Sequence, residues 1–455
     1  MMRLAIALLA GALAATPVLA QPDYTPRDMV EVANAPWTAD AVIYQMNTRQ
    51  FTAEGTFKAA QTQLPRLAAM GVDIIWLMPI HPIGEANRKG TLGSPYAVRD
   101  YRAVNPELGT EAEFRAFVDE AHRLGLKVIL DWVANHSAYD NPLTQSHPEW
   151  YTRTPEGGLM SPAGTDWSDV ADFDYSQAGL RQYMTESLVY WVREFGIDGF
   201  RCDVAGYVPT DFWETARAQL DAVKPVFMLA EWEQRDLHHR AFDATYGWGW
   251  KEAMQRLVKD GSGAGAMRGY YAGQSETWPH AAMRMVYTEN HDQNSWDGVA
   301  SEIYGDAYEA AIALSFTGSG MPLIYNGQEA DNDRQLEFFE RDPIVWRQGR
   351  HAALFEKLIA LKTEMPALHN GRFGAPMLEV PTSSTADVFA FTRGEAGERV
   401  FAVFNLSPRA QSITFTHARH HGTYADALSG ESASFAGDET LDLAPWGFRI
   451  FRETK

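Results

Sequence analysis

The sequence predicts a closed parallel (β/α)8 barrel, an α/β TIM-type fold, with an inserted domain after the third strand and a C-terminal antiparallel β domain. Three observations carry that prediction. Strand-like and helix-like stretches alternate about eight times between residues 41 and 363. The stretch 72–78 is continuously apolar rather than alternating, as expected of a strand covered on both faces. The alternation breaks over 136–176 and changes after Pro366 into short strands split by polar turns. An open doubly wound sheet would also alternate, but no Gly-x-Gly-x-x-Gly turn follows a strand, which argues against its dinucleotide-binding form.

The elements follow in order. Residues 21–36 are polar and contain proline, and read as an arm. The aromatic-rich stretch 42–51 reads as the first strand. Residues 56–70 read as a helix with Leu64, Leu67 and Ala68 on its apolar stripe, ended by Gly71. A Gly- and Pro-rich loop covers 81–100. Thr110 and Glu113 form a capping box for the helix that runs to Leu124. The third strand is 127–131. Beyond 176 the spacing predicts helix 178–195, strand 197–203, helix 211–223, strand 225–231, a weaker strand at 242–246 and helix 248–258. Strand 283–289, helix 304–316, strand 321–325 and helix 350–363 complete the set. The domain plan is therefore a barrel of 37–135 and 177–365, an insert of 136–176 and a C-terminal β-sandwich of 366–455. Strands are expected in the last at 388–392, 399–405, 411–416, 422–426 and 447–451.

Composition narrows the function. With 455 residues, 45% hydrophobic, the chain has enough apolar surface for two or three domains. Its net charge of −20 repels nucleic acid and anionic lipid, so a neutral or cationic substrate is expected. Residues 1–20 have the pattern of an export signal: Arg3, an apolar run over 4–15, and Val18-Leu19-Ala20 before Gln21. That run is too short to span a bilayer, so a periplasmic or extracellular protein without a membrane anchor is expected. The single cysteine, Cys202, excludes an internal disulfide.

The chemistry gathers at strand ends, where barrel enzymes keep their reactive groups. Arg201 and Asp203 are separated by one residue, so they share a strand face. The cation favours the ionised carboxylate, which suits a nucleophile; a structural ion pair is the competing reading. Cys202 between them points the other way, into packing. The third strand ends in Asp131, with Asn135 and His136 behind it. The fifth ends in Glu231-Trp232, the seventh in Asn290-His291-Asp292. Asp203, Glu231 and Asp292 would then converge on one mouth. Crowded carboxyls split their pKa values, so one stays protonated while another stays charged, and glycoside hydrolysis requires such a pair. A metal site of Asp, Glu and His competes, although no His-Glu-x-x-His pattern or paired cysteine supports zinc.

Asp131-Trp-Val-Ala-Asn135-His136, Gly199-Phe-Arg201-Cys-Asp203, Ala230-Glu231-Trp and Asn290-His291-Asp292 resemble the four signature segments of the α-amylase family, glycoside hydrolase family 13, in that family's order. Val170-Ala-Asp172-Phe-Asp174 resembles its fifth segment, and Gly93-Ser-Pro-Tyr96 through Tyr101 its second βα loop. The resemblance implies a retaining α-glucan hydrolase acting on α-1,4 bonds. Asp203 would be the nucleophile, Glu231 the acid and then the base, and Asp292 the stabiliser of the transition state. Tyr96, His136, Arg201, His291 and Trp232 would bind substrate or tune the acids, and Asp131 would support them. An exo-acting α-glucosidase, a cyclodextrin hydrolase, a transglycosylase or a non-catalytic sugar binder are the alternatives. The chemistry would need no cofactor. Asn135 and Asp172 match positions that relatives use for a structural calcium ion, and equally those of relatives without it. The chain departs from calcium-bridged relatives at Gly206 and Tyr207, where those carry Lys-His. In the insert, Trp150, Tyr151 and Trp167 are expected either as outer sugar platforms or as packing. The oligomeric state is not encoded in any pattern found.

Overall fold

Eight short strands close a barrel in chain order, every neighbouring pair parallel. They are Ile43–Met46, Ile74–Leu77, Lys127–Trp132, Gly199–Cys202, Phe227–Ala230, Ala244–Tyr246, Met283–Tyr287 and Met321–Tyr325. The computed structural model describes residues 30–261, 263–437 and 439–454. The export signal expected at 1–20 lies outside the described residues.

The strands are buried on both sides because both sides have cover. Ile43, Trp76, Ile129, Leu229, Met285 and Leu323 point inward and fill the barrel. The alternate residues, such as Leu130, Phe200, Cys202 and Met228, meet the surrounding helices. Cys202 is accordingly buried in packing.

Three expectations need correction. The stretch 42–51 is not one strand: it stops at Met46, and Thr48–Phe51 makes a helical turn. The Asn47 N–H donates to the Asn326 side chain instead of a ladder partner. The stretch 56–70 is two helices, Phe57–Gln61 and Leu64–Met70. Pro65 brings no N–H and its ring clashes with the preceding turn, which breaks the run. A helix at Gly265–Thr277 escaped the sequence reading. Gly265, Gly269 and Gly273 would meet nothing within 4 Å if they carried a Cβ, so their cost in helix propensity obscured a real helix.

The insert is a small antiparallel pair, His136–Ala138 with Val170–Asp172, joined by the helical turns Leu143–Ser146 and Pro148–Trp150 and by irregular chain. Trp150 and Tyr151 are buried in its packing, whereas Trp167 is partly open. Beyond helix Ala352–Glu364 lies a six-stranded antiparallel sheet and a two-stranded one. Phe401, Val403 and Phe451 from the larger sheet meet Ile413 and Leu443 from the smaller in one core. The half-exposed strands Met377–Glu379, Ser432–Phe435 and Thr440–Leu443 were not expected from sequence.

Candidate active site

One buried guanidinium organises the mouth of the barrel. Arg201 Nη1 donates to Asp131 Oδ1 at 2.9 Å and to Asp203 Oδ1 at 2.8 Å. Its Nη2 lies 2.8 Å from Glu231 Oε1. Its Nε donates to the Tyr246 hydroxyl at 3.2 Å, and the rings of Trp76, Tyr96 and Tyr246 surround it. A single cation thus serves three carboxyls. Arg201 has no exposed surface and does not line the cleft, so it acts on the acids and not on substrate directly.

The carboxyls respond to this imbalance. Burial pushes Asp203 up to about 7 and Glu231 up to about 8, Arg201 pulls both down, and neighbouring acids push both up again. The acids that raise Asp203 are Asp131 and Asp292, and those that raise Glu231 are Asp203 and Asp292. Such a group releases its protons in steps that belong to the whole cluster. Burial dominates the rise at Glu231, not the indole beside it in sequence.

Val204 fixes the geometry of the second acid. It sits just past Asp203 with φ +35°, a left-handed backbone rare for a β-branched residue. In that conformation its N–H donates to Glu231 Oε2 at 2.7 Å. Strain of this kind collects where function demands a particular backbone direction.

Asp292 reaches the same cleft from the turn after the seventh strand, with its side chain 45% exposed. Beside it, Gln45 sets the tautomer of His291. Gln45 Oε1 accepts from the His291 backbone N–H, so its amide nitrogen donates to Nδ1 at 2.7 Å. The ring proton is then on Nε2, which faces the Tyr96 hydroxyl at 2.8 Å and Asp292 Oδ1 at 3.3 Å. Tyr96 in turn donates to Asp131 Oδ2 at 3.0 Å. Burial holds His291 down at about 4 and His136 at about 3, so both are neutral donors.

The cleft has a volume of about 400 Å³. Tyr96, His136, Asp203, Glu231, His291 and Asp292 all line it, as does Trp167. Trp232 does not. Its indole packs over Gly206, where a Cβ would fall 2.1 Å from the ring, and lies between Tyr207 and Trp248. Gly206 is thus required by Trp232. The loop after the eighth strand, residues 326–346, is long and charged in the sequence and is expected to wall the cleft, which it does through Phe338 and Phe339. Sequence reasoning missed Lys89, which pairs with Asp169 of the insert at 3.3 Å, and Trp296, which packs on those two rings. Trp296 is 58% exposed, a signal that only the folded surface reveals.

The two residues named for calcium have partners within the protein. Asp172 Oδ2 takes the Thr152 hydroxyl, and the Asn135 amide lies 3.3 Å from His136 Nδ1. Among the described residues no group of three or more His, Cys, Asp or Glu side chains is arranged to hold a metal ion.

Comparison with known proteins bears directly on this mouth. The family profile "Alpha amylase, catalytic domain" matches residues 33–156, and "Maltogenic Amylase, C-terminal domain" matches 378–450. The structure of an α-amylase from Lactobacillus plantarum is 34% identical, with a TM-score of 0.81, covering 91% of this chain and 99% of that one. The chain belongs to the α-amylase family of glycoside hydrolases. A noncanonic maltogenic α-amylase from Thermotoga neapolitana is 30% identical with a TM-score of 0.83, again over 91% of this chain and 99% of that one. Among curated relatives, an α-amylase of Haloarcula japonica is 28% identical over 88% of this chain. An α-1,4-glucan:maltose-1-phosphate maltosyltransferase of Streptomyces coelicolor is 28% identical over 79%. The chain spans about 60% of the length of the first of these relatives and 56% of the second.

Proposed function

We propose that this α-amylase-family chain is a retaining α-glucan hydrolase that cuts α-1,4 bonds in maltodextrins and starch fragments. The observation that carries the reading is the placement of Asp203 and Glu231 on two nitrogens of one buried guanidinium, with Asp292 in the same cleft. Glu231, kept protonated by its burial, protonates the glycosidic oxygen as the bond breaks. Asp203 attacks the anomeric carbon from the opposite face and forms a β-glycosyl ester. Glu231, now a carboxylate, removes a proton from water, which displaces Asp203 and restores the α configuration. Asp292 and the neutral His136 and His291 hold the sugar hydroxyls where charge develops, and the Tyr96 ring stacks against the sugar. The steps draw on side chains alone.

A proton NMR time course with maltoheptaose tests this. Loss of α-1,4 signals with α-anomeric ends appearing first is expected; β-anomeric ends first would overturn retention. Growth of products longer than the substrate would move the reading to transglycosylation, and no turnover of any maltooligosaccharide would favour a sugar-binding protein.

One observation favours action near chain ends. The loop after the second strand and the loop after the eighth meet beside Tyr96. Leu92 N–H donates to the Phe339 carbonyl at 3.1 Å, and Thr91 N–H to Glu340 Oε1 at 2.8 Å. Phe338 stacks parallel to Tyr96, so the strap walls the cleft on the side of the sugar that Tyr96 holds. Maltoheptaose blocked at its non-reducing end is then cut far more slowly than the free oligosaccharide. Equal rates would support internal cleavage. We also infer export, supported by the pattern of residues 1–20. N-terminal sequencing of the protein recovered outside the cytoplasm is expected to begin at Gln21.

A further inference from the structure

Of the tryptophans, Trp296 alone has an exposed side chain among the described residues. It is not a stray surface ring. Its centroid lies 5.4 Å from that of Phe338 and 6.0 Å from that of Phe339, both half-buried, and Phe338 lies parallel to Tyr96 at 6.3 Å. Tyr96, Phe338 and Trp296 thus make one aromatic row along the catalytic cleft. A contiguous exposed aromatic patch in a cleft marks a binding surface, and an aromatic face suits the C–H face of a sugar ring.

The turn that carries Trp296 is tied down. Gln293–Asp297 is a single π-helical turn, a conformation that recurs at functional sites. Inside it, the buried Asn294 donates through Nδ2 to Glu289 Oε1 at 2.8 Å and accepts at Oδ1 from the Leu336 N–H at 2.9 Å. The Gln335 side-chain amide donates to the Ser295 carbonyl at 3.3 Å. The loop that brings Phe338 and Phe339 is thereby fastened to the turn that brings Asp292 and Trp296. A platform already in place spares the ordering entropy that binding would otherwise cost.

The order of strands round the barrel gives the row a direction. The closed sheet runs first, eighth, seventh, sixth, fifth, fourth, third, second. Tyr96, Trp296 and Phe338 follow the second, seventh and eighth strands, on one flank of the mouth. Glu231, which protonates the leaving oxygen, follows the fifth and accepts from the Val204 N–H after the fourth. The leaving group therefore points toward the fourth and fifth strands, and the sugar unit before the cut toward the seventh and eighth. We propose, on the hydrolase reading above, that Trp296 is a specificity-determining residue: it is the platform for the glucose unit that precedes the one on Tyr96, so the substrate is recognised as a maltosyl unit and not as a single glucosyl residue.

Two chromogenic substrates with one leaving group, p-nitrophenyl α-maltoside and p-nitrophenyl α-glucoside, test this, because they differ only by that preceding unit. Trp296→Ala in the full chain is expected to lower kcat/KM on the maltoside at least tenfold more than on the glucoside. Trp296→Tyr, which keeps a flat ring, is expected to recover most of the difference. An equal loss on both substrates overturns the proposal, since it would mean that Trp296 acts through the Asp292 turn. So does no loss on either, or a Trp296→Tyr variant as impaired on the maltoside as Trp296→Ala. If the wild type turns over neither glycoside, the hydrolase reading suffers and the platform is decided by calorimetry with maltotriose on Glu231→Gln and on Glu231→Gln with Trp296→Ala. Binding at least fivefold weaker in the double variant supports the platform; equal affinity, or no binding to Glu231→Gln, overturns it.

Discussion

Asp198 and Asp203 flank the same barrel strand, one at each end, and they live in opposite electrostatic worlds. Asp198 has its partners to itself: the cations Lys224 Nζ at 2.9 Å and Lys127 Nζ at 3.9 Å, the His122 ring nitrogen Nε2 at 2.7 Å, and the Val128 N–H donating as well. Burial alone would raise its carboxyl, but His122, Lys224 and the Val128 amide more than offset that and hold it below the usual range. Asp203 has one cation, which it shares with Asp131 and Glu231, and burial leaves it raised. The N-terminal end of the strand is neutralised for stability. The C-terminal end is left short of positive charge, and that shortage keeps a proton available for chemistry.

Removing the crowded acids is expected to break the comparison most. Asp203→Asn lowers kcat by about ten-thousand-fold or more, and Glu231→Gln by about a hundred- to ten-thousand-fold, on maltoheptaose. Both variants keep or raise the melting temperature, because each relieves like-charge crowding. A large activity loss accompanied by a large stability loss would contradict the contrast.

Arg201→Met strikes both properties. It leaves three buried acids without their cation, and a stability loss of about 3–5 kcal/mol by denaturant unfolding is expected, together with loss of activity. Asp198→Asn is the mirror experiment. It should cost about 1–3 kcal/mol through the unpaired donors it leaves, with kcat on maltotriose within about twofold of wild type. An Asp198→Asn variant that is fully stable but inactive would reverse the assignment of the two ends.

The smallest effect is in the pH dependence of stability. Carboxyls in an unfolded chain titrate near 4. Asp203 and Glu231 are raised to about 7 and about 8 in the folded state, so between those values the folded protein binds more protons. Their contribution is present at low pH and is lost as pH rises from about 4 through about 8. Asp198 has the opposite sign: its contribution is present above the unfolded value and is lost as pH falls through its lowered one. The melting temperature of Asp203→Asn relative to wild type should therefore rise from pH 5 to pH 8. A difference that stays flat would show that Asp203 is not raised by its surroundings.

Much of this site was legible before folding. Strand–helix alternation, and the acids that follow Ala230 and Tyr287, are local features of the chain, so Asp203, Glu231 and Asp292 could be placed at strand ends from sequence. So could the pairing of Arg201 with Asp203, because period-two alternation fixes which side chains share a face. Trp232 shows the limit of adjacency. It neighbours Glu231 in sequence, yet it turns away from the cleft to pack on Gly206.

The sequence by itself determined the order of the strands and the positions of the three carboxyls at strand ends, because each rests on spacing along a few residues. Only the tertiary structure decided what shares their charge and what walls their cleft. Gln45 reads as one polar residue in an apolar strand until barrel closure sets it against His291, and Phe338 reads as loop until it stacks on Tyr96. Arg201 looks like the partner of one acid until three strands bring it three. Those contacts join residues far apart in the chain, and no local period or propensity encodes which distant loops will meet when the barrel closes.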